Sequence, residues 1–392
     1  MLSLHRVAAL CAALIGFLGL SACGGGGEGS GGASLENALM VRPTDLGPIQ
    51  TNTDILGRDG AYSAAFQGYS VWLYGDTFMA NPDAAGRTFI SDTWSFTSDL
   101  SASDGLSGFQ ERLDSVASPT MILTETPDEA SFNTAHSGDP CAEQPCGARW
   151  ALWPSSIVTD PAAGHALVFY MVVSAKPGSF NFQGIGSSVA IWQDLASLPQ
   201  RPTFNPAVVT GHPDLIFNQF EANFGSAAVM RDGVLYVYGC GVPSNGLDKG
   251  CRLGRVDPAS VQDRSTWTFY SGGGRWSSSI NDAVSVFIGN DILSVSWNAH
   301  LQRYVAIYSV PLSQDVVIRT APAPEGPWSN ELLAFTAMRP SQGNTYDAHA
   351  HAEYDEDGGR LMYVTYSRGL PQPFASEIRL VSIELQATGP LP

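Results

Sequence analysis

Asp59, Asp76, Glu221 and Asp282 each stand at the edge of a short strand-like run, where several carboxyl groups could face one cleft. Asp59 falls in Arg58-Asp59-Gly60, Asp76 in Gly75-Asp76-Thr77, and Glu221 in Phe220-Glu221-Ala222-Asn223. Paired carboxyls suit glycoside hydrolysis: one protonates the leaving oxygen and the other acts as base or nucleophile. An aspartate beside a glycine in a β-rich chain more often satisfies its own turn, so Asp232 and Asp357, inside Asp-Gly pairs, are read as turn residues. Sugar rings stack on flat aromatics, which makes Trp153, Trp276 and Trp297 candidate platforms, with Trp153 foremost at the start of a strand-like run. His349 and His351 alternate and so point the same way. They read first as a satisfied structural pair and second, through His351, as a metal ligand. P-loop, dinucleotide-fold, His-Glu-x-x-His and Gly-x-Ser-x-Gly signatures are missing from the sequence, which leaves phosphoryl, hydride and serine-hydrolase chemistry without support.

The elements that must position these groups are strands. Gly60 to Phe66 turns at Gln67-Gly68 into Ser70 to Gly75, and the same hairpin recurs four times. The later copies pair Trp153 to Val158 with Leu167 to Tyr170, Phe224 to Met230 with Leu235 to Tyr238, Leu293 to Trp297 with Tyr304 to Tyr308, and His349 to Tyr354 with Leu361 to Val364. Each is followed by further strand material: Ser91 to Phe96, Ser188 to Trp192, Arg252 to Val256, Val316 to Thr320 and Ile378 to Ile383. Five small sheets in series predict an all-β, five-bladed β-propeller, whose first strands converge on a central channel. A β-sandwich would tolerate the spacing but would not explain one hairpin five times. Leu106 to Pro140, rich in Ser, Asp, Thr and Pro, reads as an insertion loop, and long amphipathic helices are not expected.

The chain begins with the charged pair His5 and Arg6, an apolar stretch from Val7 to Leu20, and Leu20-Ser21-Ala22-Cys23. The apolar stretch is shorter than the ~20 residues a membrane span needs, and a small-residue cleavage site follows it. Residues 1–22 therefore read as a lipoprotein signal peptide, with Cys23 lipidated and a Gly-rich tether over 23–45. The expected setting is the bacterial cell envelope, with the outer membrane or cell surface favoured, and the lipid anchor as the one membrane attachment. Residues 46–392 make the expected propeller, taken to be a monomer. A formal charge of −17 excludes nucleic acid and disfavours polyanionic glycans. Cys141, Cys146, Cys240 and Cys251 allow three pairings, and the local pairs Cys141 with Cys146 and Cys240 with Cys251 are favoured because each brackets a turn-rich loop.

Gly57-Arg58-Asp59-Gly60-Ala61-Tyr62-Ser63 and Trp72-Leu73-Tyr74-Gly75-Asp76-Thr77 resemble the opening of bacterial propellers of domain-of-unknown-function family 4185. Leu152-Trp153-Pro154-Ser155, Tyr236-Val237-Tyr238-Gly239, Gly326-Pro327-Trp328-Ser329 and Tyr363-Val364-Thr365-Tyr366-Ser367 extend the likeness over Leu46 to Leu385. That family is similar to five-bladed glycosidases that cleave furanosides, and includes endo-acting D-arabinanases. The resemblance implies a glycosidase acting on an arabinofuranose-containing polysaccharide, with Asp59 and Asp76 at the matching acidic motifs. Glu221 rests on geometry as the third catalytic candidate. Trp153, Tyr62 and Asn223 are the sugar-contact candidates. No cofactor is required, although a structural calcium in the channel fits the architecture. A non-catalytic propeller that binds glycan or protein is the alternative.

Overall fold

The computed structural model describes residues 35–49, 52–178, 181–243 and 249–392, which form one compact unit. The expected signal peptide and the lipidation site Cys23 lie outside the described residues.

Five antiparallel sheets follow one another along the chain. Blade I contains Ile55–Phe66, Tyr69–Met79, Thr93–Thr97 and Gln110–Glu111, with the short strand Phe89–Ile90 also paired to Tyr69–Met79. Blade II contains Arg149–Asp160, His165–Ala175, Phe182–Trp192 and Phe217–Asn218. Blade III begins with Asn223–Arg231, Val234–Pro243 and Lys249–Val256, and blade IV with Ser294–Asn298, Arg303–Ser309 and Asp315–Ala321. Blade V runs Gln342–Ala350, Leu361–Gly369 and Ser376–Ala387. The first strands of blades I to V touch in sequence, and the fifth touches the first, so the five sheets close into a propeller.

Closure is sealed by the start of the described chain. Leu39–Pro48 pairs antiparallel with Ser376–Ala387 and becomes the outermost strand of blade V. Leu35 to Asp45, expected in the tether, therefore belong to the body, and Leu35 and Leu39 are buried in the core between blades IV and V. The sequence of this segment, with Pro43 and Thr44 among exposed positions, lacks the alternation of a central strand because it is an edge.

Apolar layers fill each space between neighbouring blades, which is why the strands carry near-continuous buried runs. Tyr62, Leu73, Trp94, Val168 and Trp192 pack between blades I and II, and Trp72, Tyr74, Tyr363 and Leu380 between V and I. The tight turns obey their sequence. Gln67-Gly68 and Asp232-Gly233 have positive φ at both residues, as a two-residue hairpin turn of the twist-matching type needs, and Asp357-Gly358, also at positive φ, opens the four-residue turn between Glu356 and Leu361. Asp232 and Asp357 are turn residues, as read. Both local disulfides form, Cys141 with Cys146 and Cys240 with Cys251.

Two further expectations are corrected. The insertion between the first two blades holds a nine-residue helix, Pro127–Ala135, capped by Thr126, whose side chain accepts from the Glu129 amide while Glu129 accepts from the Thr126 amide. Thr126-Pro127-Asp128-Glu129 carries that capping signal in the sequence, and the short, weakly amphipathic body masked it. The first strand of blade V is Gln342–Ala350 rather than His349 to Tyr354, whose end forms a single 3-10 turn, Ala352–Tyr354. The polar run Gln342 to Asp347 hid the strand because this half lines the channel mouth instead of packing between blades.

Candidate active site

The first strands of blades I, II, III and V each slip register part-way along, between Arg58 and Tyr62, Pro154 and Ser156, Phe224 and Ala227, and Tyr346 and His349. Such bulges turn side chains out of the regular pleat. In blade I the bulge requires Gly60 at φ 78° and forces Ala61 to φ 123°, and in blade V it sets Asp347 at φ 59°. A left-handed backbone at non-glycine residues is costly, and its concentration here marks a place where side-chain direction outweighs local comfort.

The bulges of blades I, II and V border a cavity of about 590 Å³ at one mouth of the channel. Asp59 and Tyr62 reach it from the first strand of blade I, Asp76 from the second, Arg149 and Trp153 from the first strand of blade II, and Tyr346 and Asp347 from blade V. Three carboxyls thus share one space. Tyr346 donates its hydroxyl to Asp59 Oδ1. Asp76 is held from both sides, with Trp153 Nε1 2.8 Å from Oδ1 and Arg149 Nη2 3.1 Å from Oδ2. The Gly60 amide donates to Asp347 Oδ2 at 2.8 Å, which ties the third carboxyl to the bulge that aims the first.

Burial governs the titration of all three. Desolvation pushes Asp59 up to about 7, opposed by the Tyr346 hydrogen bond and assisted by the charge of Asp76. Desolvation also raises Asp76, against the pull of Arg149 and the Trp153 hydrogen bond. Asp347 is pushed well above the carboxylate range by desolvation and by Asp59. The donors differ in kind. Arg149 and the Trp153 indole can only donate, so both Asp76 oxygens must accept, which favours its ionised form. Asp59 faces a hydroxyl, which can also accept, and so tolerates a proton. Burial raises the Tyr346 hydroxyl well above its ordinary value, so it stays a donor across the working pH range.

Of the residues expected from sequence, Asp59, Asp76, Tyr62 and Trp153 meet in this cavity. Glu221 does not: it pairs with Arg264 and accepts from the Asn218 amide, and Asp347 stands as the third carboxyl instead. Asn223, at the start of the first strand of blade III, lies outside the cavity lining too. Asp282 ends a 3-10 turn and accepts from Ser277, Trp276 packs against Arg255, and Trp297 packs against Arg231. His351, the candidate metal ligand, is buried among hydrogen-bond partners. Its Nδ1 lies 2.6 Å from Ser63 Oγ, its Nε2 2.7 Å from Thr365 Oγ1, and its ring stacks on Trp72, so hydroxyls already occupy both nitrogens. Burial drives its pKa well down and takes that of His349 to about 4, keeping both rings neutral.

Another acidic cluster, Glu129, His212 and Asp214, brings ligand atoms within 4.8 Å of one another. Arg201 fills it, at 2.7 Å from Glu129 and 2.6 Å from Asp214, so a buried guanidinium already supplies the positive charge.

Sequence reasoning missed Asp347, Tyr346 and Arg149. Arg149 had a usable signal, a cation four residues before Trp153 at the start of a channel strand. Tyr346 and Asp347 had none, because only the folded ring brings their bulged strand in blade V beside Asp59 and Gly60 of blade I.

The model of the family described as "Domain of unknown function (DUF4185)" matches residues 34–368. The chain belongs to this DUF4185 family. Comparison with curated proteins finds no match. Among solved structures, a provisionally assigned hydrolase from Bacteroides ovatus superposes with a TM-score of 0.58 at 13% identity, over 87% of this chain and 90% of the other. A family 117 glycoside hydrolase from the marine bacterium Zobellia galactanivorans gives a TM-score of 0.51 at 11% identity, over 89% and 91%. At these identities the likeness is one of fold, and it agrees with the five-bladed propeller.

Proposed function

We propose that this DUF4185 protein is a glycoside hydrolase that cuts within an arabinofuranose-containing polysaccharide, with Asp59 and Asp76 as its working carboxyl pair. The observation that carries the reading is the split environment of two carboxyls facing one cavity. Asp59 is pushed to about 7 and can hold a proton at neutral pH, whereas Asp76 is held by two obligate donors. This is the division of labour that glycosidic cleavage uses.

In the proposed reaction Asp59 gives its proton to the leaving oxygen as the bond to the anomeric carbon breaks. Asp76 supplies the opposing carboxylate, either adding to that carbon or taking a proton from an attacking water. Asp347 keeps its own proton beside Asp59 and so avoids a third negative charge. Trp153, fixed by its bond to Asp76, offers a face to a sugar ring, with Phe182 packed on it at 5.2 Å between ring centres. Family resemblance supports the arabinan substrate. The lipobox-like start supports export and anchoring at the cell envelope through Cys23. No helix among the described residues is long and apolar enough to cross a membrane.

The test is digestion of D- and L-arabinans and of pyranose polymers by the body from Leu35 onward, with Asp59→Asn and Asp76→Asn beside it. Fragment release that falls by about 10²-fold or more in each variant is expected, the range for loss of acid or base catalysis. Full release by either variant would remove that residue from the mechanism, and binding without release would favour a glycan-binding propeller.

A further inference from the structure

Arg149 has two neighbours that belong to different cavities. Its Nη2 reaches Asp76 in the candidate active site, while its guanidinium carbon lies 4.3 Å from the centre of the Phe89 ring. Phe89 and Arg149 also wall a second cavity of about 450 Å³, closed by Thr88, Glu125, Asn133, Ser137 and Trp150. One side chain therefore lines two spaces, each within the ~300–1,000 Å³ usual for ligand sites.

The far wall is built by the insertion between blades I and II, and it is fixed in place. The helix Pro127–Ala135 is capped at its start, and Asn133 joins Trp150 through both backbone groups, accepting from its amide at 2.7 Å and donating to its carbonyl at 2.9 Å. The Cys141–Cys146 disulfide closes the segment that returns to blade II. Ordering so long an insertion costs backbone entropy. What it encloses is this cavity.

The lining is mixed in the way a sugar needs: two aromatic rings, Phe89 and Trp150, and the polar Thr88, Glu125, Asn133 and Ser137. Beyond Phe89 the apolar surface continues to Phe78 and then to Phe374, each ring centre 4.8 Å from the next. Phe374 is 67% exposed and holds φ at 62°.

We infer that the second cavity is a distal subsite that holds further sugar residues of the polymer whose bond is cut beside Asp59 and Asp76, with the chain crossing Arg149. This rests on the glycosidase reading above and adds the route of the polymer. Continuity through Arg149 selects the occupant, because a linear glycan long enough to leave the first cavity on that side enters the second.

The experiment compares kcat/KM for D-arabinan oligosaccharides of increasing length in the native body, in Ser137→Trp, which fills the cavity from its exposed rim, and in Phe89→Ala, which removes an aromatic wall of it. The ratio of long-substrate to short-substrate kcat/KM is expected to fall about tenfold in both variants, the factor that loss of one stacking contact produces. An unchanged ratio in the two folded variants overturns the inference while leaving the glycosidase reading intact. Absence of cleavage by the native body on every glycan overturns the glycosidase reading, and this inference with it.

Discussion

Tyr346→Phe probes the candidate acid without removing it. The Tyr346 hydroxyl donates to Asp59 Oδ1, and a hydrogen bond given to a carboxylate favours its ionised form, so the bond holds Asp59 below the value burial alone would set. Deleting the hydroxyl must raise the Asp59 pKa further. A hydrogen bond to a charged group contributes about 1.5–3 kcal/mol and one pKa unit corresponds to about 1.4 kcal/mol, which gives an upward move of roughly one to two units. An acid must be protonated to act, so the native rate falls as pH rises through about 7. In Tyr346→Phe this alkaline limb moves up, to roughly pH 8–9 on the same arithmetic. The assay is the pH profile of kcat/KM on the best polymer, paired with carboxyl-carbon NMR of Asp59, which reads the same pKa without turnover. A limb that stays in place or moves down, with the NMR titration agreeing, would refute the donor direction. A limb that stays while the NMR pKa rises would show that Asp59 is not the acid.

Asp92 tests burial away from catalysis. It accepts from the Ile122 and Leu123 amides and is raised by desolvation from 3.8 to about 7. Its stabilising effect is complete below pH 4 and lost as pH rises through about 7, because the unfolded chain releases the proton first. Asp92→Asn keeps an oxygen acceptor and does not titrate, so urea unfolding should show the variant losing less stability than native protein between pH 4 and 8, by up to the order of 4 kcal/mol. An equal loss in both would contradict the assignment. Arg201→Met strands Glu129 and Asp214 in a buried site and should cost about 3–5 kcal/mol in the same measurement at pH 7. A change below about 1 kcal/mol would mean that solvent reaches the pair in the folded protein.

Local sequence determined the repeating hairpins, because turn residues with positive φ and strands with continuous apolar runs are properties of neighbours in the chain. Gln67-Gly68, Asp232-Gly233 and Asp357-Gly358 announce their turns, and Val71 to Tyr74 or Leu167 to Tyr170 announce strands buried on both faces. The loop disulfides were legible for the same reason, their partners being close along the chain. Asp59 and Asp76 could be picked out by motif and by position at strand edges. Their chemistry could not, since desolvation, the Tyr346 hydroxyl and the Arg149 clamp come from three blades. Asp347 reaches the site only because a bulge in blade V meets one in blade I across 287 residues of chain. Leu39 to Asp45 read as linker until Ser376–Ala387 offers them an edge. Turn and strand preferences act between adjacent residues. Register at a closed ring, the direction of a bulged side chain and the dielectric around a carboxyl depend on what the rest of the chain brings alongside, and only the tertiary structure decided them.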